Sequence, residues 1–403
     1  MTGPHFTDAM RRNRFARRHC LHPDHRAASP AEAARSVVAL HATDPGGHHL
    51  SAIARGRPGT GPADVDRALY EQRSLVRQMA MRGTLFSWPA ERYRAAIDGP
   101  GRRTAAKVET LLRRETAALG ARWIERAAAA ALDHLRVHGP SSATELRDAR
   151  PDLFAPVEQG SGRWVQRVSP GPRLLTLLSL RGEVVRAGNR GPWTSSRPVW
   201  DLAERWLGEH ARPRLGEREA NAQLARAYLD RFGPVTEADL RWWFGTSAGG
   251  ARDMLADAGA APCTLERGSG WIADGDGPGA DDEPVGDWVA LVGVLDATVM
   301  GWRDRGHYLT PSDQAWLFDT VGNAGHVVFV NGEAAGTWVQ QADGDVTTLL
   351  RPGLRLERRT TDLLAAERTA LSRALDGAVA TTVWVSVAMH AANPALKFVT
   401  RGR

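Results

Sequence analysis

The sequence predicts an α+β protein: three tandem winged-helix units followed by a C-terminal β-barrel-like domain. Three observations predict it. A helix, a Gly-Pro turn and a capped helix occur twice, at 138–147 and 232–241. Helical segments near the N-terminus run into a β-hairpin pattern at 79–89. From residue 288 onward the chain turns to β-branched runs separated by turn signals. These shifts place the units at 1–115, 116–200, 201–287 and 288–403.

In the first unit, 8–19 carries Met10, Phe15 and Ala16 among five arginines, a short basic helix. His19-Cys20-Leu21-His22 follows, but no second Cys/His pair stands at zinc-site spacing, so solvated histidines at a helix end are expected and no metal. Ser29-Pro30-Ala31-Glu32 starts a second helix, with Ser as cap, Pro in the first position and Glu in the third. The Gly/Pro-rich 55–63 is a loop, and 64–77 reads as helix on Val65, Leu69, Leu75 and Val76. Met79 to Pro89 then reads as two strands about a tight Arg82-Gly83 turn.

Residues 103–136 are helical and rich in Ala, Leu and Arg. The repeat follows. His138-Gly139-Pro140-Ser141-Ser142-Ala143-Thr144-Glu145-Leu146 returns as Phe232-Gly233-Pro234-Val235-Thr236-Glu237-Ala238-Asp239-Leu240. In each copy a helix ends at Gly-Pro, and Ser or Thr caps a new helix with an acid three residues on. The segment 174–178 is helical and 182–187 reads as a wing strand. Trp193 and Arg197 share a polar loop, suited either to a base face and a phosphate or to covering a core edge. Trp242-Trp243-Phe244 is expected in the core, and the Gly/Asp-rich 266–287 as a linker. In the last unit, strands are expected at 289–294, 326–330, 336–339 and 383–387, with a helix at 363–375. Asn331-Gly332 is a hairpin turn.

Bulk composition narrows the function classes. At 403 residues and 42% hydrophobic content, the chain has enough apolar mass for several cores. No apolar run approaches the ~20 residues of a membrane span, and the polar, basic N-terminus lacks a secretory h-region. Two cysteines far apart, Cys20 and Cys263, make no disulfide framework, so a cytoplasmic protein is expected. The net charge of +6 fits a polyanionic partner. Lys107 and Lys397 are the only lysines, so arginine carries the positive charge. Arginine suits bidentate phosphate recognition, although the excess equally fits a GC-rich codon preference.

One stretch concentrates candidate chemistry. In Leu40-His41-Ala42-Thr43-Asp44-Pro45, His41 and Thr43 stand two apart, so an extended backbone presents both on one face.

Together with Met81-Arg82-Gly83-Thr84-Leu85, Phe232-Gly233-Pro234 through Trp242-Trp243, Leu295-Asp296 through Gly301-Trp302-Arg303-Asp304-Arg305, and Gly336-Thr337-Trp338, that stretch resembles the AlkZ/YcaQ-like winged-helix DNA glycosylases. The resemblance spans almost the whole chain. It implies a concave DNA-binding surface and excision of bulky or cationic alkylated purines from double-stranded DNA. Some bacterial relatives protect antibiotic producers against DNA-alkylating metabolites. Where the family's motif has Gln, an apolar residue, then Gln or Asp, this chain has His41, Ala42 and Thr43.

Hydrolysis of an N-glycosidic bond passes through an oxocarbenium-like state. An N7-alkylated purine is already cationic, so the task is mainly to place a water and favour developing charge. His41 is the expected base, Thr43 the group orienting the water, and Asp44 the group orienting His41. Arg82, Trp193, Arg197, Arg303 and Arg305 are the expected DNA contacts. The alternative for Arg303–Asp304–Arg305 is a network stapling domains together. Both lysines lie outside these motifs, so hydrolysis without a Schiff base, cofactor or metal is expected. A nucleoid-associated monomer is expected. The rival reading is a non-catalytic winged-helix DNA-binding protein, a regulator or a sequestering protein.

Overall fold

Side-chain caps fix where many of the helices begin in the computed structural model, which describes residues 3–159, 165–211 and 214–397. After α1 (Asp8–Arg18), Ser29 accepts the Glu32 N–H and starts α2 (Pro30–Ser36). There follow β1 (Leu40–His41), α3 (Gly47–Ile53), β2 (Leu75–Met79) and β3 (Leu85–Pro89). The three strands form an antiparallel sheet in the order β1-β3-β2. Arg82 and Gly83 both take positive φ, 57° and 72°, in the β2–β3 connection, as a tight turn requires. The helix expected over 64–77 stops earlier. Helical turns end at Glu71, and Arg73 at φ 56° turns the chain so that Leu75 and Val76 enter a strand. The apolar spacing of those two residues satisfies either period.

α4 (Arg102–Glu115) closes the first stretch of the chain but packs through Leu112 into the core of the second unit. That unit holds α5 (Trp123–His138), α6 (Ala143–Ala149), α7 (Gly171–Leu180), β4 (Val184–Asn189) and β5 (Pro198–Leu202). Its sheet places β5 between β4 and a short strand at Ser141–Ser142. The third unit holds α8 (Glu217–Phe232), α9 (Glu237–Phe244), α10 (Ala248–Asp257), β6 (Ala260–Leu265) and β7 (Gly268–Ala273). Both sequence repeats become reciprocal caps. Ser142 exchanges backbone bonds with Glu145 at 2.7 and 3.2 Å, and Thr236 does so with Asp239 at 2.8 and 3.1 Å.

The N-terminus completes the third sheet: His5–Phe6 pairs in parallel with β6. The expected linker over 266–287 is half strand and half acidic clamp. Gly268–Ala273 pairs with β6, while Asp276, Asp281 and Asp282 bind Arg14 and Arg18 of α1 at 2.5–2.9 Å. Gly/Asp content alone reads as flexibility because the arginines that neutralise it lie about 260 residues away along the chain.

Beyond it come β8 (Val289–Val292), α11 (Pro311–Leu317), β9 (Val327–Val330), β10 (Glu333–Gln340), β11 (Val346–Leu350), α12 (Arg358–Leu375) and α13 (Val387–Ala392). The Asn331-Gly332 turn joins β9 to β10 with positive φ at both residues. The strands form one sheet in the order β8-β9-β10-β11. The expected barrel is not closed among the described residues: β8 and β11 stay at opposite edges, and four strands are too few to curl shut. The strand expected at 383–387 is also absent. Ser386 accepts the Met389 N–H and caps α13 there, so a helix start ends the β-branched run.

One large core runs through the first unit, the third unit and the C-terminal sheet, joining Phe15, Tyr228, Phe232, Trp302 and Phe329. The second unit keeps its own core on Leu135, Leu146, Leu174, Leu178 and Trp200. Inside the shared body, Arg55 and Asp296 make a two-pronged ion pair at 2.7 and 2.7 Å, both side chains at 0% exposure. Ser51 and Thr298 complete the ring of hydrogen bonds. His19 extends it, from the Thr298 hydroxyl to the Arg231 carbonyl. Removing one partner would strand a buried charge, which costs ~3–5 kcal/mol. Asp296→Ala is therefore expected to lower unfolding free energy in urea by about that amount; a loss under ~1 kcal/mol would show that the pair does not hold these units together.

Candidate active site

β1 pairs with β3 in the register Leu40↔Ser87 and His41↔Phe86, and the Ala42 N–H continues the ladder to the Leu85 carbonyl at 2.9 Å. Alternation along an extended chain then sends His41 and Thr43 to one face, as their spacing predicts. That face opens on a cavity of about 150 Å³ at the junction of three parts of the fold. The first unit supplies His41, Thr43, Arg82 and Phe86; α9 supplies Trp242 and Trp243. The C-terminal unit supplies Leu295, Met300, Asn323 and Trp384.

His41 packs edge-on to Phe86, with ring centroids 5.4 Å apart. Its Nδ1 faces the Thr43 N–H at a long 3.5 Å, and Nε2 has no partner among the described residues. Burial, then the Arg82 cation, push its pKa down to about 4, against a smaller opposing pull from Asp296. At neutral pH His41 is therefore an uncharged ring with acceptor capacity, next to a hydroxyl.

Asp44 does not join them. It is buried, accepts the Gly46 N–H at 3.1 Å and shapes the turn into α3, and it is not among the cavity-lining residues. Burial pushes its carboxyl up, against hydrogen bonds from Thr382, Gly46 and Gly47. The expectation that it orients His41 is not met: three residues on, in the bend that follows β1, its carboxylate is turned to the backbone of Gly46 and no contact joins it to His41 among the described residues.

The expected DNA contacts separate. Arg82 is exposed at its turn and lies over the Trp242 ring at 5.0 Å. Arg305 covers the same ring at 5.1 Å, but it is buried and its Nε donates to the Val299 carbonyl at 3.0 Å. Arg305 is thus a packing group, and the stapling alternative describes it. The neighbouring backbone agrees: the N–H groups of Arg303 and Asp304 both bind the buried Asp239 carboxylate, at 2.6 and 2.9 Å. The Arg303 side chain stays exposed. Trp193 packs on α3, 5.1 Å from the His49 ring and against Gly46, so it covers a seam between units. Arg197 is exposed, with its N–H on Asn189 Oδ1 at 2.7 Å.

Three cavity residues escaped the sequence reading. Trp242 looked like core beside Trp243 and Phe244, yet it is the half-buried member of the three. Its 3.6-residue phase relative to Leu240 and Phe244 carries that signal. Asn323 sits in an irregular segment that no periodicity marks, and Trp384 in the β-branched run over 383–387 that reads as a strand and is irregular up to the start of α13. Among the described residues, no group of three or more His, Cys, Asp or Glu is placed to hold a metal.

The family model for AlkZ-like DNA glycosylases matches residues 34–380. The chain belongs to the AlkZ-like DNA glycosylase family. Among solved structures it is similar to Streptomyces sahachiroi DNA glycosylase AlkZ, with a TM-score of 0.72 and 17% identity, covering 93% of this chain and 98% of that one. At that identity the likeness speaks for the fold. No curated protein matches the sequence. Within the AlkZ-like family, the His-Ala-Thr stretch of this member lies at a cavity formed by its first unit, third unit and the C-terminal unit's connecting segments.

The electrostatics give a direct expectation. Histidine-selective NMR titration should find the His41 ring neutral down to about pH 4. Arg82→Gln should raise its midpoint, because removing a nearby cation favours the charged form. A midpoint near ~6.5, unchanged by the substitution, would contradict the burial and the Arg82 effect.

Proposed function

We propose that this chain hydrolyses the N-glycosidic bond of N7- or N3-alkylated purines in double-stranded DNA, as a monofunctional glycosylase serving repair or self-resistance to a DNA-alkylating natural product. The observation that carries the reading is the His41–Thr43 pair at the edge of an aromatic-walled cavity. Family membership supports the reaction class. The substrate class and the residue roles are our inference.

His41 takes the part of acceptor for the attacking water. A neutral imidazole serves this as a Gln carbonyl does, and adds basicity. Neutrality matters twice, since an imidazolium would also repel a cationic purine. The Thr43 hydroxyl orients the same water. Trp242, Trp243 and Phe86 offer flat surfaces for the departing base, and a cationic ring gains from lying over indole. Arg82 at its turn and the exposed Arg303 and Arg197 meet backbone phosphates. Lys107 and Lys397 are exposed and line no part of the cavity, in keeping with hydrolysis without an imine. We read the helix–turn–helix and sheet units over 1–115, 116–200 and 201–287 as winged helices, with 288–403 as the unit that walls the cavity, and the protein as acting alone on duplex DNA.

The exchange of the family's glutamines favours one rival, a DNA-binding protein without catalysis. The two readings part on one assay. Purified protein incubated with duplexes carrying N7-guanine and N3-adenine adducts, then treated with alkali, should give strand breaks at the adduct and release free base. His41→Ala should slow release by about 10²-fold or more. Tight duplex binding with no abasic sites on any adduct would leave the binding protein as the answer.

A further inference from the structure

The other face of the β1-β3-β2 sheet holds a second concentration of polar groups, unused by the chemistry above. Arg77 on β2 pairs with Ser87 on β3, and Ser87 with Leu40 on β1. Arg77 and Ser87 therefore share the face opposite His41 and Phe86. Arg77 is 3% exposed, and its Nε, the Ser87 hydroxyl and both ring nitrogens of the fully buried His48 have no hydrogen-bond partner among the described residues. The His48 and His49 rings lie tilted against each other, with centroids 4.3 Å apart.

The second unit brings another cation to the same place. Arg186 on β4 lies over the Trp200 ring at 4.8 Å, and β4 packs against both β2, which carries Arg77, and the helical turns over Arg67–Glu71, which carry Tyr70. Burial, then Arg77, push its pKa down to about 10. No ion pair joins Arg77 or Arg186 to a carboxylate among the described residues. The nearby acid is Asp66, which His49 Nε2 already holds at 3.1 Å. Tyr70, its phenol pushed up by burial, lies beside Arg77 as a neutral hydroxyl.

Two guanidinium groups converging on one seam, one of them enclosed, are unfavourable unless an anion arrives to balance them. Their planar forks match two oxygens of a phosphate group. Partly exposed Arg186, Tyr70 and Asp66 mark the side from which a group can enter.

We propose that Arg77 and Arg186 form an oxyanion subsite at the seam of the first and second units, built to seat a phosphate group. The oxyanion assignment stands on these side chains. Its source, a backbone phosphodiester of bound DNA, rests on the proposed function.

The test uses the full chain with Arg186→Met and Arg186→Lys, since Arg186 is partly exposed and its loss leaves the enclosed Arg77 in place. Duplex binding to undamaged DNA is followed by fluorescence anisotropy across a range of salt. In parallel, melting temperature is read in inorganic phosphate against chloride at equal ionic strength. Arg186→Met should weaken duplex binding several-fold and reduce the slope of log K against log salt by about 1, while Arg186→Lys keeps the slope. Phosphate should raise the melting temperature of the wild type more than that of Arg186→Met. An unchanged slope with a lost phosphate effect would uphold the subsite and assign it to free phosphate. A wild type that ignores DNA but responds to phosphate would sink the glycosylase reading and leave the subsite standing. An unchanged slope with no phosphate effect in the wild type overturns the proposal.

Discussion

Arg55 and Asp296 are fully shielded from solvent, and their paired charges decide where the cavity walls stand. Taking both ions out of water costs several kcal/mol each, and the pair persists because both Asp296 oxygens and both terminal nitrogens of Arg55 are met by hydrogen bonds, with only the Arg55 Nε left without a partner among the described residues. Ser51 and Thr298 supply those bonds from α3 and the C-terminal unit, and His19 at the end of α1 holds the Thr298 hydroxyl. Burial pushes the Asp296 carboxyl up, but the Arg55 charge and the bonds from Arg55, Ser51 and Thr298 pull it below its ordinary value. Leu295 and Ala297, the immediate neighbours of Asp296, line the cavity. Fixing the carboxylate therefore fixes two wall residues against the first unit that carries His41.

A second restraint acts from the third unit. Two guanidinium groups lie over the Trp242 ring, Arg82 at 5.0 Å and Arg305 at 5.1 Å. Asp239 caps α9 and at the same time binds the backbone N–H groups of Arg303 and Asp304. One carboxylate thus sets the start of the helix that carries Trp242 and the turn that carries Arg305. The Arg82 cation closes the circuit back to His41, whose proton affinity it lowers.

Local features were legible in the sequence. Ser29, Ser142 and Thr236 cap helices where their motifs place them, and Asn331-Gly332 turns the hairpin, because caps and turns depend on a few consecutive residues. The face shared by His41 and Thr43 followed from a period of two. What depended on distant partners was not legible. The acidic 276–282 segment reads as linker until α1 supplies Arg14 and Arg18. Asp239 reads as a cap alone, and Arg305 as either a phosphate contact or a staple between units, because their second partners belong to other units. Asp44 departs from its expected role through a closer effect, since the chain bends after β1 and the carboxylate caps that bend at Gly46.

The central claim is that His41 works as a neutral acceptor for water, filling the place of the family's glutamine. Single-turnover excision by His41→Gln, against wild type and His41→Leu of equal melting temperature, tests it most directly. The account predicts that Gln, which keeps an acceptor, retains a rate within about tenfold of wild type while Leu falls by ~10²-fold or more. Equal rates for Gln and Leu, whether both lost or both intact, would contradict it.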